Sequence, residues 1–163
     1  MATNVANRPT LSASVGPKAS KSALSQAVVN RTLASCDSTL AAAAIAVTPA
    51  DRFIYAHLAA VRAAGAYLKL IGVPTANRGA FRSVWERLAA ASPEMSLWAA
   101  YFAAGTKTRI AIEAGESVSE SDCDEMLGLA EDFRDEVVAA ARALGPPSRQ
   151  QLTSLTYGYA SAA

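Results

Sequence analysis

The chain has 163 residues, which is room for one domain with a proper core and flanking tails. Its net charge is only +1, and this balance argues against a whole surface that binds nucleic acid by charge alone. The longest apolar run, residues 40–47, is far shorter than the roughly 20 residues that a membrane-spanning helix needs. The first residues lack a basic patch followed by an apolar block, so we expect no secretory signal and a cytoplasmic location.

The charge is unevenly distributed along the chain. Residues 1–112 hold twelve basic and four acidic side chains, a net +8, whereas residues 113–136 hold ten acidic side chains and one basic, a net −9. We interpret the acidic segment as the solvated face of a helix, partly neutralised by basic neighbours in the fold. Cys36 and Cys123 lack the spacing of metal ligands, so we expect reduced thiols, no metal site and no cofactor.

Helical spacing of apolar residues and 38 alanines predict an all-α protein. Residues 1–19 have no such period and predict a disordered tail. The first helix is expected over residues 20–46, with an apolar pattern formed by Leu24, Val28, Leu33, Leu40 and Ile45. Thr48 and Pro49 predict the start of a second helix, with Thr48 as its cap, and Gly72 predicts its end after Ile71.

Three more segments complete the predicted fold. A loop at residues 75–79 leads into a short helix over residues 81–91, and Ser92 is expected to cap the next helix, residues 95–112. Ser119 begins the last helix, whose predicted inward stripe is Met126, Ala130, Phe133, Val137 and Leu144. The result is an antiparallel four- to five-helix bundle over residues 20–145, followed by a flexible C-terminal tail, residues 146–163.

The only histidine, His57, lies in "TPADRFIYAHLAAVRAA", five positions after Arg52. On a helical wheel His57 shares an apolar stripe with Phe53 and Leu68, whereas Arg52 lies about 140° away. One interpretation is a core or interface histidine bonded to a backbone carbonyl or a hydroxyl. The other is a metal-independent endoribonuclease in which Arg52 stabilises phosphate charge and His57 moves the proton, the pair meeting across a two-fold interface. Whether the chain is an enzyme stays open at this point.

Two surfaces are candidates for binding. The helix over residues 95–112 is apolar around much of its circumference, which predicts cover on two sides and favours a homodimer. The candidate interface residues are Phe53, His57, Trp98, Tyr101 and Phe102. Charge and stacking could let RNA contact Arg78, Arg82 and Arg87 together with Trp85, although a solvated amphipathic helix is the commoner explanation of such a pattern.

The C-terminal segment "SRQQLTSLTYGYASAA", residues 148–163, carries Leu152, Leu155, Tyr157 and Tyr159. One interpretation of these apolar residues is a short peptide that docks on a partner protein. The alternatives are a disordered tail with incidental aromatic residues, or a strap packed back on its own bundle.

The segments "TPADRFIYAHLAAVRAAGAYL", "SVWERLAAASPEMSLWAAYFAAGTKTRIAIEAG" and "SESDCDEMLGLAEDF" resemble an actinobacterial, SAV-type family of HEPN-like proteins over about residues 48–144. The resemblance implies a small helical bundle, commonly dimeric. It implies one of two functions. One is an RNase whose R-x4-6-H motif assembles at the dimer interface. The other is an inactive adaptor that is associated with RNA or is accessory to stress or DNA-damage responses. Arg52 and His57 fit that spacing. In RNase members, however, a polar residue usually follows the arginine and the motif lies in the last long helix, whereas here Phe53 follows and the motif opens the second helix.

Overall fold

Helices account for all of the regular structure in the part of the chain that the structure describes. A computed structural model describes residues 17–74 and 83–145, with side chains from residue 23 onward. The helices are α1 (Pro17–Ile45), α2 (Pro49–Leu70), α3 (Val84–Ala91), a 3₁₀ turn (Pro93–Met95), α4 (Ser96–Glu113) and α5 (Glu120–Leu144). The prediction of an all-α bundle is confirmed. Within the described ranges, each helix is too short or too polar to cross a membrane.

Several predicted segments lie outside the described residues. They are most of the N-terminal tail, the loop at residues 75–79, the first two residues of the predicted third helix, and the C-terminal tail. The division of the chain into one helical domain, with a HEPN-like core at residues 48–144, and two tails therefore stays a prediction.

Two of the predicted helix caps are present. The hydroxyl of Thr48 accepts a hydrogen bond from the backbone N–H of Asp51 at 3.1 Å, and that of Ser119 accepts one from the N–H of Asp122 at 3.0 Å. The end of α2 also lies where it was predicted, since Gly72 follows with φ of 78°. This left-handed conformation carries no steric penalty in glycine, so the chain can turn sharply there.

The starts of α3 and α4 differ from the prediction. α3 begins with a capping box, in which Ser83 accepts from the N–H of Glu86 at 3.2 Å and the Glu86 carboxylate accepts from the N–H of Ser83 at 2.9 Å. The prediction that Ser92 caps a helix is wrong, because its side chain makes no capping bond. Its hydroxyl lies 2.9 Å from the hydroxyl of Tyr67 instead. Tyr67 is buried, and its hydroxyl needs a polar partner there.

The buried residues of α1 lie on one face of the helix, whereas the apolar residues noted in the sequence lie on two different faces. The buried stripe is Val29, Leu33, Cys36, Leu40 and Ala43. Of the residues in the predicted apolar pattern, Leu33 and Leu40 belong to this stripe, whereas Leu24, Val28 and Ile45 lie out of phase with it and are exposed. Leu144 was predicted to face inward and is exposed, since it is the last residue of α5 and lies at the end of the bundle.

Among the described elements, α2 contacts each of the other helices. α1 and α4 run antiparallel to it. α5 starts beside the first turn of α2, where Cys123 Sγ donates to the carbonyl oxygen of Pro49 at 3.0 Å. It ends beside the last turn, where Leu144 and Leu70 line one groove. α5 is therefore parallel to α2, as alternate helices are in an up-down-up-down bundle.

Small side chains let the neighbouring helices approach α2 closely. Six of its alanines are fully buried, namely Ala56, Ala59, Ala60, Ala63, Ala64 and Ala66. On the α1 side, Cys36 Sγ comes within 3.2 Å of the carbonyl oxygen of Ala59, so a side chain of α1 reaches the backbone of α2. A larger residue at one of these alanine positions has no free space to occupy.

We expect Ala63→Leu in α2 to lower the free energy of unfolding by about 1–3 kcal/mol, because the added atoms overpack an enclosed site. Ala100→Leu is the matched control, since Ala100 is exposed on α4, and its effect should stay within about 0.5 kcal/mol. Urea unfolding followed by circular dichroism measures both. Equal midpoints for the two variants would show that α2 is not tightly enclosed.

Candidate functional site

Arg52 is held against α5. Its Nη1 lies 2.7 Å from Glu120 Oε2 and 3.1 Å from Asp124 Oδ1. The arginine side chain is 21% exposed, and both carboxylates are largely exposed, so water screens these ion pairs. Two negative charges are thus in direct contact with the guanidinium that was predicted to bind phosphate.

His57 lies in the core, on the side of α2 that faces α3 and α4. It is 0% exposed, and its Nε2 lies 2.9 Å from the carbonyl oxygen of Phe102 and 3.3 Å from Thr106 Oγ1. A carbonyl oxygen only accepts hydrogen bonds, so Nε2 carries the proton and donates it. Nδ1 is then the unprotonated nitrogen of a neutral ring, and it has no hydrogen-bond partner among the described residues.

The surroundings of His57 keep the ring neutral. Burial lowers the pKa of His57, and the positive charge of Arg109 lowers it further. The bond to the Phe102 carbonyl and the negative charge of Glu113 oppose this lowering without reversing it. A protonated imidazole would be costly here because the charged form loses its hydration in the core.

A small polar cluster surrounds the histidine. Trp85 Nε1 donates to Thr106 Oγ1 at 3.2 Å, and the Thr106 hydroxyl donates to the carbonyl oxygen of Phe102, also at 3.2 Å. The indole ring of Trp85 lies edge-on to the imidazole, with 5.9 Å between ring centroids. Thr106 was not among the candidate residues of the sequence, so its role was missed.

An aromatic cluster closes the site on the side of α4 and α5. Phe102 is at its centre, with ring centroids 5.9 Å from Trp98, 5.1 Å from Tyr101 and 5.4 Å from Phe133. The broad apolar surface of α4 is therefore covered in large part by the same chain. Three of the five candidate interface residues are buried within this single chain: Phe53, His57 and Phe102. Trp98 and Tyr101 are only partly buried and stay at the surface.

Gly105 is a site residue that the sequence analysis missed. A Cβ atom at this position would lie 2.9 Å from Met126 Cε and 3.0 Å from His57 Cδ2, so a side chain there would require Met126 and the enclosed His57 ring to shift. Glycine in a helix interior is about 1 kcal/mol less favourable than alanine. A glycine inside the apolar pattern "YFAAGTKT" was therefore a signal of close packing.

Within one chain the structure does not bring Arg52 and His57 together. Arg52 contacts α5, whereas His57 contacts α3 and α4. This arrangement agrees with the helical wheel, which placed the two side chains on different faces of α2. Their catalytic role stays a prediction.

The basic residues proposed to contact RNA are only partly described. Arg78 and Arg82 lie outside the described residues. Arg87 Nη2 donates to the carbonyl oxygen of Pro74 at 2.7 Å, so it ties α3 to the end of the segment that follows α2. Trp85 is 3% exposed and presents no free ring face for a base. Contact between RNA and this part of the surface stays a prediction.

A groove of about 340 Å³ opens beside Gly105, between α2, α4 and α5. Tyr101, Asp122 and Glu125 are among the residues that line it. Burial raises the pKa of Tyr101, and the negative charges of Glu125 and Asp122 raise it further. Carboxylates at this opening repel a phosphate group. No cluster of three metal-ligating side chains is present in residues 17–74 and 83–145.

Comparison with known proteins identifies one family. The model of the SAV_6107-like HEPN family matches residues 42–138, which include α2, α3, α4 and most of α5. No curated protein and no solved structure matches the chain.

Protonation of His57 should destabilise the fold. Because its pKa is lowered from 6.5 in the folded state, the unfolded state binds more protons, and stability is lost as the pH falls below about 6.5. We expect the free energy of unfolding to decrease between pH 7 and pH 5 by up to about 1.4 kcal/mol per pH unit. His57→Gln, whose amide can also donate to the Phe102 carbonyl, should lose this dependence. Urea unfolding of the wild type and of His57→Gln across this pH range measures the dependence. If both free energies of unfolding change in parallel with pH, the pKa of His57 does not change on unfolding.

The close packing at Gly105 can be tested against a matched glycine. Gly128→Ala in α5 should raise the free energy of unfolding by about 1 kcal/mol, because its Cβ would meet nothing within 4 Å. The free energy of unfolding of Gly105→Ala should be lower than that of Gly128→Ala by about 1 kcal/mol or more, since the added Cβ crowds His57 and Met126. Equal gains in thermal and urea stability would show that the helices can move apart at Gly105 without loss.

Proposed function

Because this chain belongs to the SAV_6107-like HEPN family, we propose that it is a HEPN module that works by association with a second copy of itself rather than by cutting RNA. The observation that supports this is the state of His57, which is fully buried and donates its ring proton to a backbone carbonyl of its own chain. A histidine that acts as general base or acid must exchange its proton with the substrate. Here the donating nitrogen is enclosed by the ring of Trp85, the backbone of Phe102 and the hydroxyl of Thr106.

The ion pairs of Arg52 with two carboxylates support the same proposal. An arginine that stabilises a phosphate in a transition state must direct its charge at the developing negative charge. Arg52 directs its guanidinium at Glu120 and Asp124. A phosphate that approached it would have to displace one carboxylate and remain beside the other.

For the association we propose the outer side of α4. Four residues recur there at helical spacing, and we call them the α4 outer stripe: Leu97, Tyr101, Ala104 and Thr108. Leu97 is 86% exposed, and Tyr101 is partly buried beside the groove. Large apolar and aromatic side chains of this kind provide the anchors of many protein interfaces. Trp98 lies at the edge of the stripe, where its Nε1 donates to Glu136 at 2.9 Å.

Sedimentation equilibrium at micromolar concentration tests the association. We expect a wild-type dimer whose Kd rises about tenfold or more in Leu97→Ser and in Tyr101→Ser, because each loses an interface anchor. Ile110→Ser is the control on the same helix, since Ile110 is 57% exposed on a different face, and its Kd should match the wild type. A wild-type chain that stays monomeric would remove the proposal.

The second candidate function is a metal-independent endoribonuclease, and the spacing of Arg52 and His57 is the observation that favours it. Incubation of the purified protein with RNA in EDTA tests it against His57→Gln and Arg52→Lys. Under our proposal, wild type and both variants cut no more RNA than buffer. Cleavage that leaves 2′,3′-cyclic phosphate ends and is lost in a folded His57→Gln would instead establish the ribonuclease.

A further inference from the structure

We propose that the C-terminal segment, residues 148–163, packs back in cis across one end of its own bundle. This end is formed by residues 24–29 of α1, the last turn of α2 with the residues that follow it, and the last turn of α5. Its apolar residues, which we call the apolar end surface, are Leu24, Val28, Leu70, Val73 and Leu144. The proposal does not depend on the association through α4.

Two adjoining grooves make this end a continuous surface. One, of about 350 Å³, lies between α1, α2 and α5, and the other, of about 340 Å³, lies between α1 and the residues that follow α2. Ser25 and Lys69 line both grooves, so the two meet along one edge. One short peptide could therefore contact both grooves.

The exposure of the large aliphatic side chains at this end needs an explanation. Leu24 is 66% exposed, Leu144 is 64% exposed and Val28 is 39% exposed. Single exposed apolar residues are common on protein surfaces, but several gathered around connected grooves indicate a surface that another segment covers.

The course of the chain indicates which segment covers it. Gly145 lines one of the grooves and has extended backbone angles, so the chain leaves α5 at the apolar end surface itself. Leu152 follows seven residues later, and an extended chain of that length reaches about 23 Å, enough to return across the grooves. Leu155, Tyr157 and Tyr159 come next, and Arg149 is the only charged side chain in residues 148–163. The segment therefore offers apolar side chains to the exposed Leu24, Val28 and Leu144. It also offers hydroxyl and amide groups to the polar residues that line the grooves, Ser25, Gln26 and Lys69.

The N-terminal segment is a less suitable occupant, because residues 1–16 carry no aromatic side chain and join α1 away from the surface. α1 begins at Pro17, two turns before Leu24, and each helical residue adds about 1.5 Å. The chain that precedes Pro17 is therefore joined to α1 about 10 Å beyond the apolar end surface. The C-terminal segment, in contrast, starts on that surface.

Disulfide trapping in the full-length chain tests the proposal. Val28→Cys combined with Leu155→Cys should form an intrachain disulfide under mild oxidation, identified by mass spectrometry of the linked peptides. Ile110→Cys combined with Leu155→Cys is the matched control, because Ile110 is exposed near the opposite end of the bundle. Native Cys36 and Cys123 are buried, and each single-cysteine variant measures their background. A one-to-one mixture of ¹⁴N and ¹⁵N chains separates bonds within a chain from bonds between chains.

The expected result is a bond within one chain for the Val28 pair at a yield well above that of the Ile110 pair. Mixed-isotope linkage would overturn the proposal, because a second copy would then supply the segment. Equal yields for the two pairs would also overturn it, since the segment would then have no preferred position.

A stability measurement gives a second test. Substitution of Leu152, Leu155 and Tyr157 together by serine should lower the Tm by about 5 °C or more, because each side chain would lose apolar contacts with the apolar end surface. Substitution of Gln150 and Gln151 by serine is the control and should leave the Tm unchanged. Equal Tm values for the two variants would overturn the proposal.

Discussion

The structure depends on how closely other helices can approach the backbone of α2. Its fully buried alanines let α1 come so close that the thiol of Cys36 reaches the carbonyl oxygen of Ala59. At the first turn of α2, the thiol of Cys123 on α5 reaches the carbonyl oxygen of Pro49. Alanine buries little apolar area, and most of the hydrophobic stabilisation must then come from larger side chains elsewhere. The aromatic cluster around Phe102 supplies these where α2 faces α3 and α4. His57 lies at the edge of the alanine face, beside this cluster.

The ion pairs between helices lie at the periphery of this core. Arg52 joins α2 to the acidic start of α5, and Arg134 joins the middle of α5 to Asp37 on α1, with contacts of 2.7 and 3.0 Å. The uneven charge of the sequence is in this way partly balanced inside the fold, as expected for an acidic helix packed beside basic neighbours. Among the described residues, the fully buried side chains of the core that can titrate are His57 and two thiols, Cys36 and Cys123, and burial favours the neutral form of each.

The fold could be predicted from the sequence because its signals are local. Thr48 and Ser119 cap their helices through atoms only three residues away, and glycine ends α2 through its own backbone freedom. The site could be predicted less well because its contacts join distant parts of the chain. The bond from His57 to the Phe102 carbonyl spans 45 residues, and nothing near either residue in the sequence specifies the other.

Errors in the predicted elements have the same origin. Ser92 has the local pattern of a helix cap, yet its hydroxyl bonds to Tyr67, which is 25 residues away. The register of α1 was misread because large apolar residues were preferred over Cys36 and Ala43, although these small residues are the ones that fit against α2. Gly105 was missed because its role is to leave space, which its missing side chain gives to His57 and Met126 from other helices.

The two buried cysteines turn the close packing around α2 into a property that can be followed in time. Burial, together with the charge of Asp37, raises the pKa of Cys36 to about 11, and burial also raises the pKa of Cys123. The reactive thiolate is therefore scarce at neutral pH, and the sulfur atoms are shielded from reagents. Alkylation of either thiol has to wait until its helix separates from α2. The alkylation rates of Cys36 and Cys123 would then report separately how often α1 and α5 detach from α2. The native chain thus contains one thiol probe of local opening for each of these two helices.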